Sequence, residues 1–309
     1  MAGVILYGQK GGTPSYVPQY SGQGKITLLS DDGSSGYAEF TSSGVLTWKG
    51  NRVPGNVDIF CVGGGAGGCY SSSLQGAEYG GSGGGGGYTT TERNQTLPKE
   101  TAVTIGAGGA AAAAGGTTSV ALEGVTINAP GGQPGSMEGT AYSNFSGGNG
   151  GSGGGDGGRG YNNSVSSGIN GSKGGTDGGN GEKTVSGGTG KVGVGQGTTT
   201  KDLLGRIHAG GGAGASGWYS SGYAPSSAGG ASDFEGGKGA NGSHYSTTGT
   251  TDHAHGGGGG GGYGGGGGGA MGTTKGAAPG VGGQGFAMIA WGNYYSILGL
   301  DGSAQQEVS

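Results

Sequence analysis

Glycine fills 93 of the 309 positions, and it is gathered into tracts rather than spread: Gly83 to Gly87, Gly256 to Gly262, and Gly264 to Gly269, the last two parted only by Tyr263. A chain built this way must either stay disordered or find a fold whose core is something other than side chains. Leu, Ile, Val and Phe together supply 40 residues, a share below what an ordinary domain needs to offset its ordering entropy. Disordered chains of such composition usually carry a large net charge, yet 14 basic and 18 acidic residues leave only −4 here. The apolar residues also cluster into short runs at the two ends and between the tracts, as strands would. Collagen is excluded, because it requires glycine at every third position and abundant proline, and this chain has eight prolines and unbroken glycine runs.

Short strands are expected over Val4 to Tyr7, Lys25 to Leu29, Tyr37 to Thr41 and Val45 to Trp48, with turn residues between them. The clearest is Val57 to Val62, where Val57, Ile59 and Cys61 share one face and Phe60 and Val62 the other, so both faces are expected to be covered. It runs directly into Gly63-Gly64-Gly65, and Gly83 to Gly87 in turn feeds Tyr88 to Thr91. Further strands are expected at Ala102 to Ile105, Thr117 to Leu122, Val125 to Asn128 and Gly285 to Trp291, with no amphipathic helix of convincing length.

Glycine loses more backbone entropy on folding than any other residue, so ordered tracts need a compensating interaction. Polyproline-II geometry makes no hydrogen bonds within a segment, which leaves each N–H and C=O free to pair with a neighbouring segment. Without Cβ atoms such segments approach backbone to backbone. The stretch Gly256 to Gly269 would reach about 43 Å at the ~3.1 Å rise of that helix. The expected fold is therefore mainly β, with short strands flanking a polyglycine, or polyproline-II, bundle and little or no α-helix. Three parts are expected: an opening segment over 1–35 that joins the chain to a larger particle, a glycine-rich domain over 36–292 that carries binding inserts, and a tail over 293–309.

The blocks Ser35 to Thr47, Val57 to Gly65, Gly83 to Thr91, Thr104 to Gly109, Gly115 to Ser119 and Gly195 to Lys201, in that order, resemble the glycine-rich domain of tail fibre and minor tail proteins of phages and prophages. The resemblance spans roughly Tyr37 to Trp291. It implies a stack of polyglycine-II helices whose distal loops contact the host, a place in the virion tail, and release outside the cell on host lysis. The partners it implies are a bacterial cell-surface receptor, glycan or protein, and other tail proteins, with a homotrimer among the assemblies left open. The other reading is a non-phage extracellular structural protein or an ice-binding polyglycine bundle, which would need a flat, regular face of short side chains.

No enzymatic chemistry is expected. Gly80 to Gly84 and Gly150 to Gly154 match the nucleophile-elbow pattern around Ser82 and Ser152, but neither joins a hydrophobic strand to a helix. Gly190-Lys191 is followed by Val192, where a phosphate loop needs Ser or Thr. No cofactor is expected. There is no basic stripe for nucleic acid, and no run approaches the ~18 apolar residues of a membrane span. Cys61 and Cys69 are too few for a disulfide framework and lack zinc-site companions, and they read as a buried strand thiol and an unrelated loop thiol, with a bridge between the two as the competing reading.

Binding is expected in the polar inserts between tracts. Trp218, Tyr219 and Tyr223, with Phe234, Tyr245, Tyr142, Phe145 and Tyr161, set aromatic rings among Ser, Asn and Gly. That mixture combines rigid contact area with adaptable hydrogen bonding, as antibody paratopes do. His253 and His255 alternate along the chain, so an extended backbone would point both toward one metal ion; a solvated loop is the competing reading.

Overall fold

The computed structural model describes residues 3–6, 15–50, 52–71, 81–135, 147–154, 159–161, 164–166, 201–209, 211–212, 255–256, 262–267, 270–271 and 279–300. In chain order the strands are β1 (Gly3–Leu6), β2 (Pro18–Tyr20), β3 (Gly24–Leu28), β4 (Gly36–Phe40), β5 (Gly44–Trp48), β6 (Val57–Val62), β7 (Tyr70–Ser71) and β8 (Thr89–Gln95). They continue with β9 (Glu100–Thr104), β10 (Thr118–Ala121), β11 (Thr126–Ala129), β12 (Arg159–Tyr161), β13 (Ser164–Ser166), β14 (His255–Gly256), β15 (Ala270–Met271) and β16 (Phe286–Trp291). The one helix among the described residues, α1 (Tyr294–Leu298), is five residues long.

Two sheets form a sandwich. The first has the order β1-β3-β4-β16-β6-β8, antiparallel except where β1 lies parallel to β3; the second, β11-β10-β9-β5-β2, is antiparallel throughout. Residues on either side of position 35 share both sheets, through β3 with β4 and β2 with β5. The two-residue period of β6 and β16 explains why these strands are apolar without interruption. Val57, Ile59, Cys61, Ala287, Ile289 and Trp291 turn inward onto Leu46, Trp48, Val103 and Val120 of the second sheet. Phe60, Val62, Phe286, Met288 and Ala290 turn outward, where Leu203, Ala209 and Tyr294 cover them. The second side is thus sealed by a loop and a short helix in place of a third sheet. Trp48 and Trp291 meet edge to face at 5.1 Å in the centre, and the Trp291 indole N–H donates to the Gly33 carbonyl at 3.0 Å.

The glycine tracts leave this sandwich from the strand ends and return to it, and they are held by backbone hydrogen bonds to one another. Along 63–69 the accepting partner changes with a period of three. Gly63, Ala66 and Cys69 donate to the carbonyls of Tyr88, Gly85 and Ser82; Gly64 and Gly67 donate to Gly116 and Ala113; Gly65 and Gly68 donate to Gly283 and Gly280, all at 2.8–3.0 Å. The same segment's carbonyls accept in turn from three others, at Gly132, at Gly109 and Ala112, and at Gly267. The returning tract repeats the pattern, with Gly84 and Gly87 donating to Gly267 and Gly264, Gly85 and Tyr88 to Gln133 and Pro130, and Gly86 to Ser152. Residues 61–69 and 81–87 are buried throughout.

Glycine is obligatory at these contacts for a steric reason. A Cβ on Gly65 would lie 2.0 Å from the Gly265 carbonyl oxygen, one on Gly282 would lie 1.9 Å from that of Gly65, and one on Gly87 would lie 1.9 Å from that of Gly63. The obstacle is backbone in every case, so no rotamer change relieves it.

Candidate functional site

The tracts define two ends. Gly63, Gly87, Gly106, Pro130 and Gly285 adjoin the strands of the sandwich. Cys69, Ser82, Ala112 and Gly280 lie at the opposite end, where Cys69 N–H meets Ser82 and Gly68 bonds to both Ala112 and Gly280. Several inserts have both roots toward that far end. Segment 72–80 leaves after β7 and returns one residue before Ser82. Segment 136–146 leaves after Gly135, whose carbonyl accepts from Cys69 Sγ at 3.1 Å, and returns just before Gly148, which donates to Gly83. Segment 213–254 leaves after Gly212, bonded to Gly84, and returns at β14; segment 272–278 leaves after β15. A small sheet ties these roots together, with β15 pairing β14 on one side and β7 on the other, so that His255 faces Met271 and Met271 faces Ser71 in register.

The residues expected to bind belong to these inserts. Trp218, Tyr219, Tyr223, Phe234, Tyr245 and His253 fall within 213–254, and Tyr142 and Phe145 within 136–146; all lie outside the described residues. Tyr161 closes β12, which pairs with β13, and His255 opens β14; for these two the backbone alone is described. Among the described residues no group of three His, Cys, Asp or Glu side chains is placed to hold a metal ion, and no helix is long and apolar enough to cross a membrane.

Two polar clusters that sequence reasoning missed sit against the sandwich. In the first, Asp202 opens a tight loop. Its Oδ1 accepts from the backbone N–H groups of Leu204 and Arg206 at 2.9 and 3.0 Å, and its Oδ2 bonds Arg206 Nε at 2.7 Å and His208 Nε2 at 2.9 Å. Arg206 also reaches Glu39 on β4 at 2.7 Å. Burial, the largest influence on Asp202, works to raise its carboxyl, but the His208 hydrogen bond and the Arg206 charge outweigh it and hold the group below the usual carboxylate range. His208 is fully buried, and its ring lies 5.0 Å from Phe286 and 5.3 Å from Phe60. The cluster clamps the loop over the outer face of β6 and β16. Its only local signal is an acidic residue opening a Gly-containing turn, with an arginine four residues on.

The second cluster fastens α1. Asp58 of β6 accepts from Tyr294 Oη at 2.8 Å, Arg93 Nη1 at 2.9 Å and the Asn94 N–H at 3.1 Å. The Arg93 guanidinium lies over the Tyr295 ring, 5.5 Å from its centre, and donates to the Tyr295 hydroxyl. Burial, with the Tyr295 and Asp58 contacts behind it, raises the Tyr294 phenol far above its ordinary value.

The two elbow-like serines, Ser82 and Ser152, are fully buried in the tracts. Cys61 and Cys69 are both free thiols, and burial pushes Cys61 up to about 12. No family model matches the chain, and no curated protein matches it either.

Proposed function

We propose that this chain is a receptor-binding structural protein of a phage tail, or of a phage-like particle, and that it presents aromatic inserts to the bacterial surface from the far end of a polyglycine-II bundle. The observation that carries this reading is the common rooting of segments 72–80, 136–146, 213–254 and 272–278 toward the end of the bundle away from the sandwich. A scaffold held by peptide groups has no side chains with which to discriminate among ligands, so recognition falls to the inserts. Inserts of this kind can vary, because the backbone bonds described for the scaffold run between the tracts themselves. The three-residue rotation of hydrogen-bond partners along 63–69 and 84–88 supports the polyglycine-II assignment, since that helix repeats every three residues and presents successive peptide groups to three directions.

In this reading the protein catalyses nothing and needs no cofactor. Its partners are a surface glycan or protein of the host and the neighbouring tail proteins, and its place is the virion and, after lysis, the medium. The ring-bearing insert at Trp218, Tyr219 and Tyr223 is the leading contact, with Phe234, Tyr245, Tyr142, Phe145 and Tyr161 in support. Central aromatic anchors each carry about 2 kcal/mol or more of binding energy. The test is adsorption of fluorescently labelled protein to a panel of bacterial strains, compared with a chain in which Trp218, Tyr219 and Tyr223 are all serine. Loss of adsorption with an unchanged melting temperature is expected. If adsorption survives those changes and a matching set at Tyr245, His253 and His255, the inserts are packing material and the binding role is refuted.

A further inference from the structure

The position of β16 in the first sheet sets the order in which the fold can close. It lies between β4 and β6, with Ala287 to Trp291 in register with Phe40 to Gly36 on one side and Phe286 to Ala290 with Val62 to Asp58 on the other. Without it the sheet divides into β1-β3-β4 and β6-β8. The new edge at β6 would carry apolar side chains on both faces, Val57, Ile59 and Cys61 on one and Phe60 and Val62 on the other. Each residue of β16 is buried. Ala287, Ile289 and Trp291 belong to the inner core, while Phe286, Met288 and Ala290 belong to the outer one, where Phe286 stacks on Tyr263 at 4.9 Å.

The lead-in to β16 closes the bundle in the same way. The carbonyls of Gly280 and Gly283 take the N–H groups of Gly68 and Gly65 in the central tract, while Gly282, Gly283 and Gly285 donate to Gly109, Gly265 and Gly106. One stretch, 280–291, therefore completes the centre of the sheet and one of the three directions in which the central tract donates. Residues 41–285 separate β16 from β4 and residues 63–285 separate it from β6, so these two pairings are the least local among the described strands and close the longest loops.

We infer that β16 with its lead-in is a closing strand: neither the first sheet nor the glycine bundle orders until 280–291 inserts, so the chain folds as one unit only after its C-terminal part is made. The consequence is a built-in delay. The insert roots at the far end of the bundle come together last, whatever those inserts bind.

The test starts from the full chain with a protease recognition sequence placed within 272–278. The folded protein is cut there, the fragments are separated in denaturant, and each is returned to buffer alone or together. The fragment up to the cut should show no cooperative melting transition and should lack the near-ultraviolet circular dichroism of the Trp48–Trp291 pair. Adding the C-terminal fragment at equal concentration should restore both, whereas the same fragment with Ile289→Pro, which removes a ladder hydrogen bond at the centre of the sheet, should restore neither. A large fragment that melts alone as the uncut chain does would overturn the inference. So would a large fragment that stays unfolded when its partner is added, or one rescued equally well by the proline variant.

Discussion

Replacing Gly65 by Ala tests the central claim that the core of the bundle is made of peptide groups. The added Cβ would stand 2.0 Å from the Gly265 oxygen and 2.4 Å from its carbon, whereas carbon–oxygen contacts close at about 3.3 Å. The segment at Gly265 must therefore withdraw by more than about 1 Å. It cannot do so alone, because that oxygen accepts from Gly283 at 2.7 Å, Gly283 accepts from Gly65 at 2.8 Å, and Gly65 accepts from Gly109 at 2.8 Å. Weakening three linked and buried bonds, at about 1–3 kcal/mol for each group left unsatisfied, gives a loss of roughly 3–9 kcal/mol. At about 2–4 °C per kcal/mol for a sizeable domain, the midpoint of thermal unfolding should fall by roughly 6–36 °C. Gly55→Ala is the control, since nothing lies within 4 Å of a Cβ there and its φ is not in the left-handed region. That change should raise stability by about 0.4–1 kcal/mol through the unfolded chain alone. Calorimetry on the three proteins decides the matter: if Gly65→Ala and Gly55→Ala melt together, the tracts are not packed backbone to backbone.

Three further outcomes follow from the polar clusters and the thiols. Asp202→Asn should cost about 2–4 kcal/mol, because the Arg206 charge loses one of its two carboxylate partners in a largely buried site. The Asp202 carboxyl titrates lower in the folded chain, so its contribution is complete above the unfolded value of about 4 and is lost as pH falls through the folded value. The gap between wild type and variant in denaturant titrations should accordingly be constant near neutrality and close in acid. Tyr294→Phe should lower stability by about 1–3 kcal/mol, since Asp58 then loses a buried donor. Cys61 and Cys69 are buried, free and pushed up by that burial, so a thiol reagent at pH 8 should label neither until denaturant is added, and then both.

The strands were legible where side-chain pattern and burial agree. The run Val57 to Val62 is apolar on both faces because it lies in mid-sheet with a core on either side, and its observed bounds are those the sequence predicts. The final strand predicted from Gly285 begins at Phe286. Strand β2 was not legible, because three residues beginning with a proline carry no period and are fixed by pairing with β5 and by the packing of Tyr20 on Phe40. Helix α1 was not legible either, since it has no side-chain cap and is held through Tyr294 by Asp58, far away in the chain. The Asp202 cluster depends in the same way on Glu39, a contact that no local pattern encodes.

The register of the tracts was hidden for a different reason. A homopolymeric run offers no side chain by which one alignment beats the next, so sliding Gly83 to Gly87 by three residues against 63–69 would reproduce much the same set of backbone bonds. What fixes the alignment is the strand at the end of each tract. Val62 pairs with Thr89 in the sheet, and the bond from Gly63 to Tyr88 is the next rung of that ladder, from which the bonds of Ala66 to Gly85 and Cys69 to Ser82 follow at intervals of three. Gly285 enters beside β6 in the same way, one residue before Phe286 pairs with Val62. The sandwich therefore sets the register of the tracts, and its side chains decide, at a distance of several peptide units, which insert roots meet at the far end. A substitution that shifts β16 or β8 by one residue would turn every side chain of that strand to the opposite face. It would also carry the attached tract out of step, so errors in the core of the sandwich should appear as misaligned insert roots at the far end.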